Sequence, residues 1–249
     1  MFGMHFNSYG HFEGFDENEV STGRFYAADY MLSVGWGMRL NDCFSVGANF
    51  KPILSQYDNY TAIALAVDVA GSYVSKSKQF ATTLIARNIG AQIMTFDGTR
   101  EKLPFELSAA LSYKLKNAPF RFFFALTDLQ RWNLRYKDGL NPTEKEDPFT
   151  GEVIGENKFV GVIDNMFRHT LFGLELNLGK AFYARVGYSF RQTKEMQSEG
   201  LTSLNMSGFS FGFGFKVKGF DIAYSRNNYH MGQAPNFISI TTDLNRFIK

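Results

Sequence analysis

The sequence predicts an all-β fold, an antiparallel transmembrane β-barrel with about twelve strands in this chain. Three observations predict it. Bulky apolar residues alternate with glycine, serine and charged residues at a period of two, which puts every second side chain on one face of a strand. The connections between these segments are alternately short and mostly longer. Phe occurs 27 times and Tyr 12 times in 249 residues, beside 23 glycines, a composition suited to strands with one bulky face and one crowded face.

The clearest strand is 208–217, where Phe209, Phe211, Phe213, Phe215 and Val217 oppose Gly208, Ser210, Gly212, Gly214 and Lys216. Segment 105–115 repeats the scheme with Phe105, Leu107, Ala109, Leu111, Tyr113 and Leu115 on one face. Segment 182–191 does so with Phe182, Ala184, Val186, Tyr188 and Phe190, and segment 29–40 with Tyr30, Leu32, Val34, Trp36, Met38 and Leu40. Weaker alternation marks 44–51, 61–73, 170–178, 220–227 and 237–247. Segments 80–95 and 120–134 are strand-like with broken alternation, and 1–13 completes the set. Phe209, Phe211, Phe213, Phe215, Phe182, Tyr188, Leu107 and Leu111 are expected to face lipid.

Connections at 41–43, 75–79, 117–119, 179–181 and 218–219 are short. Those at 15–23, 56–60, 97–103, 136–168, 192–205 and 228–236 are expected to be the longer set. Short periplasmic turns and longer outer loops are the pattern of an outer-membrane barrel, and the parity places the C-terminus in the periplasm. A soluble sandwich would bury its apolar faces and gives no reason for such alternation. Prolines fall in connections or at strand starts, except Pro52, for which a bulge near a strand end is expected.

Charged residues make up 20% of the chain and the net charge is +2, so no concentrated basic surface for nucleic acid is expected. A mean hydropathy of −0.20 and the lack of an 18-residue apolar run exclude membrane-spanning helices. The single cysteine, Cys43, permits no internal disulfide and reads as a tolerated turn residue.

No motif carries chemistry. Gly208-Phe209-Ser210-Phe211-Gly212 matches a nucleophile-elbow pattern, but that motif needs a strand-to-helix turn and this serine sits inside a continuing alternation. His5, His11, His169 and His230 have no ligand spacing; His169 and His230 are expected to bond strand ends. No catalytic residues, metal site or cofactor are expected, and the chain reads as a non-enzyme. Arg39, Lys51, Lys114, Arg185, Arg191 and Lys216 share the inner face with Asp29, Asp68, Glu106, Glu175, Asp221 and Asp243. That near cancellation predicts a lumen closed by ion pairs, with Ala62, Ala64, Ala66 and Ala70 crowding it, rather than a pore of one charge sign.

The connection 137–168 combines carboxylates (Asp138, Glu144, Glu146, Asp147, Glu152, Glu156) with many apolar residues. A connection this long and apolar either folds over the barrel mouth as a lid or contacts another protein. For the second role the candidate anchors are Phe149, Phe159, Met166 and Phe167, with Trp132 and Tyr136 at the strand rim.

The ordered set formed by residues 32–53 (Leu-Ser-Val-Gly-Trp-Gly-Met-Arg-Leu-Asn-Asp-Cys-Phe-Ser-Val-Gly-Ala-Asn-Phe-Lys-Pro-Ile), Ser55-Gln56-Tyr57, Ala86-Arg87-Asn88-Ile89-Gly90, Leu103-Pro104-Phe105-Glu106-Leu107, Ala118-Pro119-Phe120-Arg121-Phe122, Leu129-Gln130-Arg131-Trp132 and residues 167–176 resembles the PorV/PorQ family of type IX secretion proteins. The likeness runs over nearly the whole chain. It implies an outer-membrane barrel of about fourteen strands, similar to long-chain fatty-acid transporters. It also implies a non-enzymatic role in holding a cell-surface attachment complex, with PorZ, PorU and PorV as partners besides the membrane lipids. Family members carry a signal peptide, a plug segment and early strands, so the resemblance implies further residues before Met1. The alternative reading is an outer-membrane transporter or channel for small hydrophobic molecules.

Overall fold

Alternation at period two becomes one sheet of twelve antiparallel strands. The computed structural model describes residues 1–135, 145–146, 153–154, 158–179, 181–196, 206–228 and 234–242. The first strands are β1 (Phe2–Phe15), β2 (Ser21–Arg39), β3 (Phe44–Tyr57), β4 (Tyr60–Val74), β5 (Phe80–Met94), β6 (Glu106–Lys114) and β7 (Phe120–Leu126). A two-stranded ribbon of β8 (Lys145–Glu146) and β9 (Val153–Ile154) stands apart from the sheet, followed by helix α1 (Lys158–Arg168). Then come β10 (Thr170–Leu178), β11 (Phe182–Ser189), helix α2 (Phe190–Glu195), β12 (Phe209–Val217), β13 (Phe220–Asn227) and β14 (Asn236–Thr242). The large sheet runs in chain order, with β7 beside β10. Among the described residues no helix is long and apolar enough to cross a membrane.

The chain divides into two compact units, residues 1–76 with 83–107, and residues 77–82 with 108–249. Strands of the first unit are long, up to 19 residues in β2, which at a rise of about 3.3 Å per residue is roughly 60 Å of extended chain. Register puts Leu32, Val34, Trp36 and Met38 of β2 on one face with Phe44, Val46 and Phe50 of β3. On the other face Lys51 Nζ lies 2.6 Å from Asp68 Oδ1 and donates to Asn88 Oδ1 at 2.6 Å, while the Asn88 backbone N–H donates to Asp68 at 2.9 Å. Nearby, Tyr9 and Tyr57 donate their hydroxyls to the Asp29 carboxylate. Ala62, Ala64 and Ala66 are buried on this face as expected, at 1–6% exposure.

Two expectations fail here for local reasons. The connection at 56–60 is a tight turn, because Tyr57 pairs directly with Tyr60 and Asp58 takes a left-handed φ of 52°, a conformation aspartate tolerates. The strict alternation of short and long connections therefore breaks at β3–β4. Pro52 sits inside β3 with no bulge. Its register to β2 is continuous from Tyr57 to Ser45, and the ladder is only interrupted opposite Leu32 and Ser33, where the missing proline N–H cannot donate. The broken alternation of 80–95 also has a cause, since Asn88 adopts a φ of 56° within β5.

In the second unit the strands have seven to nine residues, and the register carries one apolar face across seven of them. Leu111 lies opposite Phe124, Phe124 opposite Phe172, Phe172 opposite Tyr188 and Tyr188 opposite Phe209. Phe213 opposes Tyr224, which opposes Ile238. The opposite face bears Glu175, Arg185, Tyr183, Lys216 and Asp221, joined by an Arg185 Nε to Glu175 Oε2 bond of 2.7 Å and a Tyr183 hydroxyl to Asp221 bond of 2.8 Å. Here too the expected strand limits shift. Strand β11 stops at Ser189, so Phe190 and Arg191 belong to α2, and residues 127–134 leave the sheet after Leu126. Residues 243–249, with Asp243, and His230 lie outside the described residues.

Glycine makes room for close backbone approach in β5. A Cβ on Gly90 would collide with the Leu65 carbonyl oxygen and lie 2.8 Å from the Ala66 Cα, whereas one on Gly71 would meet nothing within 4 Å. Gly90→Ala is expected to cost about 1–3 kcal/mol, the usual range for overpacking, and Gly71→Ala less than about 0.5 kcal/mol. Urea midpoints of the two variants refolded in detergent check this.

Candidate functional site

The short connections of the second unit, 115–119, 179–181 and 218–219, all lie at one end of its strands. At the other end residues 127–135, α1 and α2 build a rim. The polar residues of α1 fix its place. Asn165 is 4% exposed, donates from Nδ2 to the Trp132 carbonyl and accepts from the Leu134 N–H at 2.9 Å. Asp164 receives Arg168 at 2.8 Å, one helical turn on, and Arg135 lies 3.6 Å away.

His169, 3% exposed, joins α1 to β10. Its Nδ1 lies 2.7 Å from the Thr127 carbonyl and its Nε2 3.0 Å from the Trp132 carbonyl, and the Trp132 indole stacks on its ring at 5.7 Å. The Thr127 N–H returns a bond to the His169 carbonyl at 2.9 Å. His169 thus bonds the strand end as its position in the sequence led one to expect, and it also sets the path of residues 127–132.

Helix α2 is started by Ser189, whose Oγ accepts from the Gln192 N–H. Thr193 donates to the Ser207 carbonyl at 2.7 Å and so ties the helix to the entry of β12. Gly208 at that entry has a φ of 89°, and a Cβ there would meet the Ser189 carbonyl oxygen at 2.5 Å, so only glycine fits. Arg191 bridges Glu195 and Asp128, each at 2.7 Å. The Glu195 hydrogen bond, reinforced by Asp128, pushes this guanidinium further up from its already high value, so it stays cationic throughout the working range.

Of the six candidate anchors, four are brought to this rim. Trp132 is 62% exposed, Phe159 70%, Met166 53% and Phe167 44%. Tyr136 and Phe149 lie outside the described residues. Asn165, Asp164 and Arg168 organise the rim and are not visible from counting apolar residues. Their signal is a spacing of one and four, the polar side of a helix.

A second place is a cavity of about 600 Å³ on the charged face of the second unit. Phe123, Ala125 and Leu171 wall it, Gly173, Gly187 and Gly212 leave its floor open, and Ser210, Ser225, Tyr183 and Arg185 supply its polar atoms. Arg185 reaches it already bonded to Glu175. Among the described residues, no group of three or more histidine, cysteine, aspartate or glutamate side chains could hold a metal ion. Compared with known proteins, the chain matches no family model and no curated protein.

Asn165→Ala removes one donor and one acceptor from a buried site. It is expected to loosen residues 132–134 by about 1–3 kcal/mol, while Met166→Ala at the exposed side changes stability by less than about 0.5 kcal/mol. Red-shifted Trp132 emission and faster proteolysis near residue 132 in the first variant alone check this.

Proposed function

We propose that this protein is a transmembrane β-barrel of the bacterial outer membrane that acts without catalysis, as a scaffold for a cell-surface attachment complex. The observation that carries the membrane part is the pair of faces on the sheet. Phe209, Phe211, Phe213 and Phe215 are each 40–45% exposed; at about 200 Å² per ring they alone present on the order of 300 Å² of apolar surface. That is already the largest patch of many soluble monomers, roughly 300–600 Å², and the register extends it across six neighbouring strands. Lipid is the solvent such a face suits. The seven to nine residues of each of these strands approach the length a tilted bilayer crossing needs, about 9–11 residues.

The scaffold role draws its support from the resemblance of the sequence to the PorV/PorQ family and from the rim, where Trp132, Phe159, Met166 and Phe167 stand exposed above the strand ends. PorZ, PorU and PorV are the partners that this resemblance suggests. Balanced charges on the inner face, such as Lys51–Asp68 and Arg185–Glu175, favour an interior that does not conduct ions.

The cavity in the second unit favours a second reading, an outer-membrane transporter or channel for small hydrophobic molecules. Its walls are apolar, and its size is within the range of small-molecule sites, about 300–1,000 Å³. Planar-bilayer recordings separate the two: stable open-channel currents or saturable uptake of a hydrophobic solute select the transporter.

Phe213→Arg is expected to cost roughly 2–4 kcal/mol if Phe213 meets lipid near the bilayer midplane. Ser210→Ala on the other face is expected to cost far less. Insertion yield and unfolding midpoint in phospholipid vesicles check both. Equal tolerance at the two positions sinks the membrane reading.

A further inference from the structure

Of the carboxylates on the inner face, Asp68, Glu106, Glu175 and Asp221 each have a lysine or arginine partner. Asp29, in β2, has none among the described residues. It is half-buried, and two phenols hold it, one from each neighbouring strand. The Tyr9 hydroxyl of β1 donates to Oδ2 at 2.7 Å, and that of Tyr57 in β3 is shared between Oδ1 at 3.2 Å and Oδ2 at 3.3 Å. A carboxylate accepts about four hydrogen bonds, so Oδ1 in particular keeps acceptor capacity. The charge is stabilised but not cancelled.

The strands gather aromatic rings around it. In β1 the register to β2 slips between Ser8 and Gly10, where Tyr9 is the extra residue of a β-bulge and Gly10 has a φ of 89°. A bulge interrupts the ladder and re-aims a side chain, and bulges are frequent beside functional sites. Here it leaves Tyr9 without a cross-strand partner and with its hydroxyl on Asp29. It also reverses the phase of β1. Phe12, which by alternation would follow Phe2, Met4 and Phe6 on the apolar face, pairs instead with Phe25, and their rings stack at 5.3 Å. Phe25, Ala27 and Asp29 follow one another at steps of two on one face of β2. Toward β3 the Tyr57 ring lies 5.9 Å from that of Tyr9 and 5.3 Å from that of Phe96. Tyr9 keeps 47% of its surface exposed, so the cluster is open to a ligand.

We propose that this cluster binds an organic ammonium ion, a cation that carries carbon beside its charge. Asp29 supplies the counter-charge, and the faces of aromatic rings attract a cation through their quadrupole while they cover its carbon. An inorganic cation such as calcium takes about six to eight oxygen ligands, whereas here the phenol protons point at a single carboxylate. The cluster is on the polar face of the first unit, and its chemistry is the same whatever solvent covers the apolar face.

The test uses the full chain labelled with 3-fluorotyrosine, at neutral pH in a non-ionic detergent whose headgroups bring no competing ammonium. Tyr9→Phe and Tyr57→Phe each delete one fluorine resonance and so assign the two. Butylammonium chloride is expected to shift both resonances saturably, while butanol and sodium chloride at the same concentrations do not. Asp29→Asn keeps the shape of the side chain and is expected to weaken butylammonium binding about tenfold or more, through loss of a charge-assisted contact. Tyr57→Leu keeps the carboxylate but removes a ring, and is expected to weaken binding about two- to fivefold, read at Tyr9. The other fluorotyrosine resonances report whether each variant is folded. Should Asp29→Asn fail to fold, the wild-type titration with its two controls and the Tyr57→Leu variant still decide. Absence of a saturable shift with butylammonium overturns the site. An equal response to butanol or to sodium overturns recognition of an organic cation, and unchanged affinity in folded Asp29→Asn overturns the carboxylate as its counter-charge.

Discussion

Everything in the sheet depends on the strict return of side chains to the same face every second residue. The ladder of backbone hydrogen bonds fixes that phase, and a slip of one residue would carry every phenylalanine of a strand to the charged face. In the second unit the phase is held from Leu111 through Phe124, Phe172, Tyr188 and Phe209 without a shift. The two faces therefore become two chemically different solvents for the chain. One is continuous hydrocarbon surface; the other must satisfy its charges within itself.

The charged face does so by local exchange instead of by one sign of charge. Glu175, 6% exposed, is met by Arg185 and Asn177, with Arg121 at 3.9 Å. Lys51 and Asp68 meet at 2.6 Å with Asn88 bonded to both. A buried charge without such partners costs several kcal/mol, so these groups have to be placed together, and glycine and alanine make the space for them. The room above Gly214 is filled by the Tyr183 ring, which a Cβ at that position would strike. Small residues and ion pairs are thus two halves of one packing solution.

How far this was legible in the sequence follows from the same period. Phe209–Val217 reads directly because each side chain repeats the chemistry of the one two places away, and the structure returns it residue for residue. The signal fails where the backbone departs from period two without a marker in side-chain type. Asp58 and Asn59 look like part of a longer polar connection, yet they make a turn of two residues. Phe190 and Arg191 continue the alternation of β11 perfectly, but Ser189 offers a helix cap, and the Asp128 and Glu195 carboxylates hold Arg191 in the helix. Pro52 points to a bulge, and its neighbours simply leave a gap opposite it. Buried bonds such as those of His169 could be expected at a strand end, whereas the pair of carbonyls it meets, 37 and 42 residues away, could not.

Helix α1 shows why counting apolar residues was insufficient at the rim. Phe159, Val160, Val162, Ile163, Met166 and Phe167 fall at steps of one, three and four, a helical stripe, and Asp164, Asn165 and Arg168 fill the complementary side. Read as composition, the segment is an apolar loop in search of a reason; read as period 3.6, it is a helix with two separable faces. Which face turns inward is then decided by hydrogen bonding. The Leu134 N–H and the Trp132 carbonyl need partners where residues 132–135 turn away from the sheet, and Asn165 on the polar side of α1 meets both, with His169 as a second partner of the carbonyl. Each such backbone group left unpaired would cost about 1–3 kcal/mol, so the polar side of α1 is drawn in, while Phe159, Val160, Val162, Ile163, Met166 and Phe167 keep 38–70% of their surface exposed.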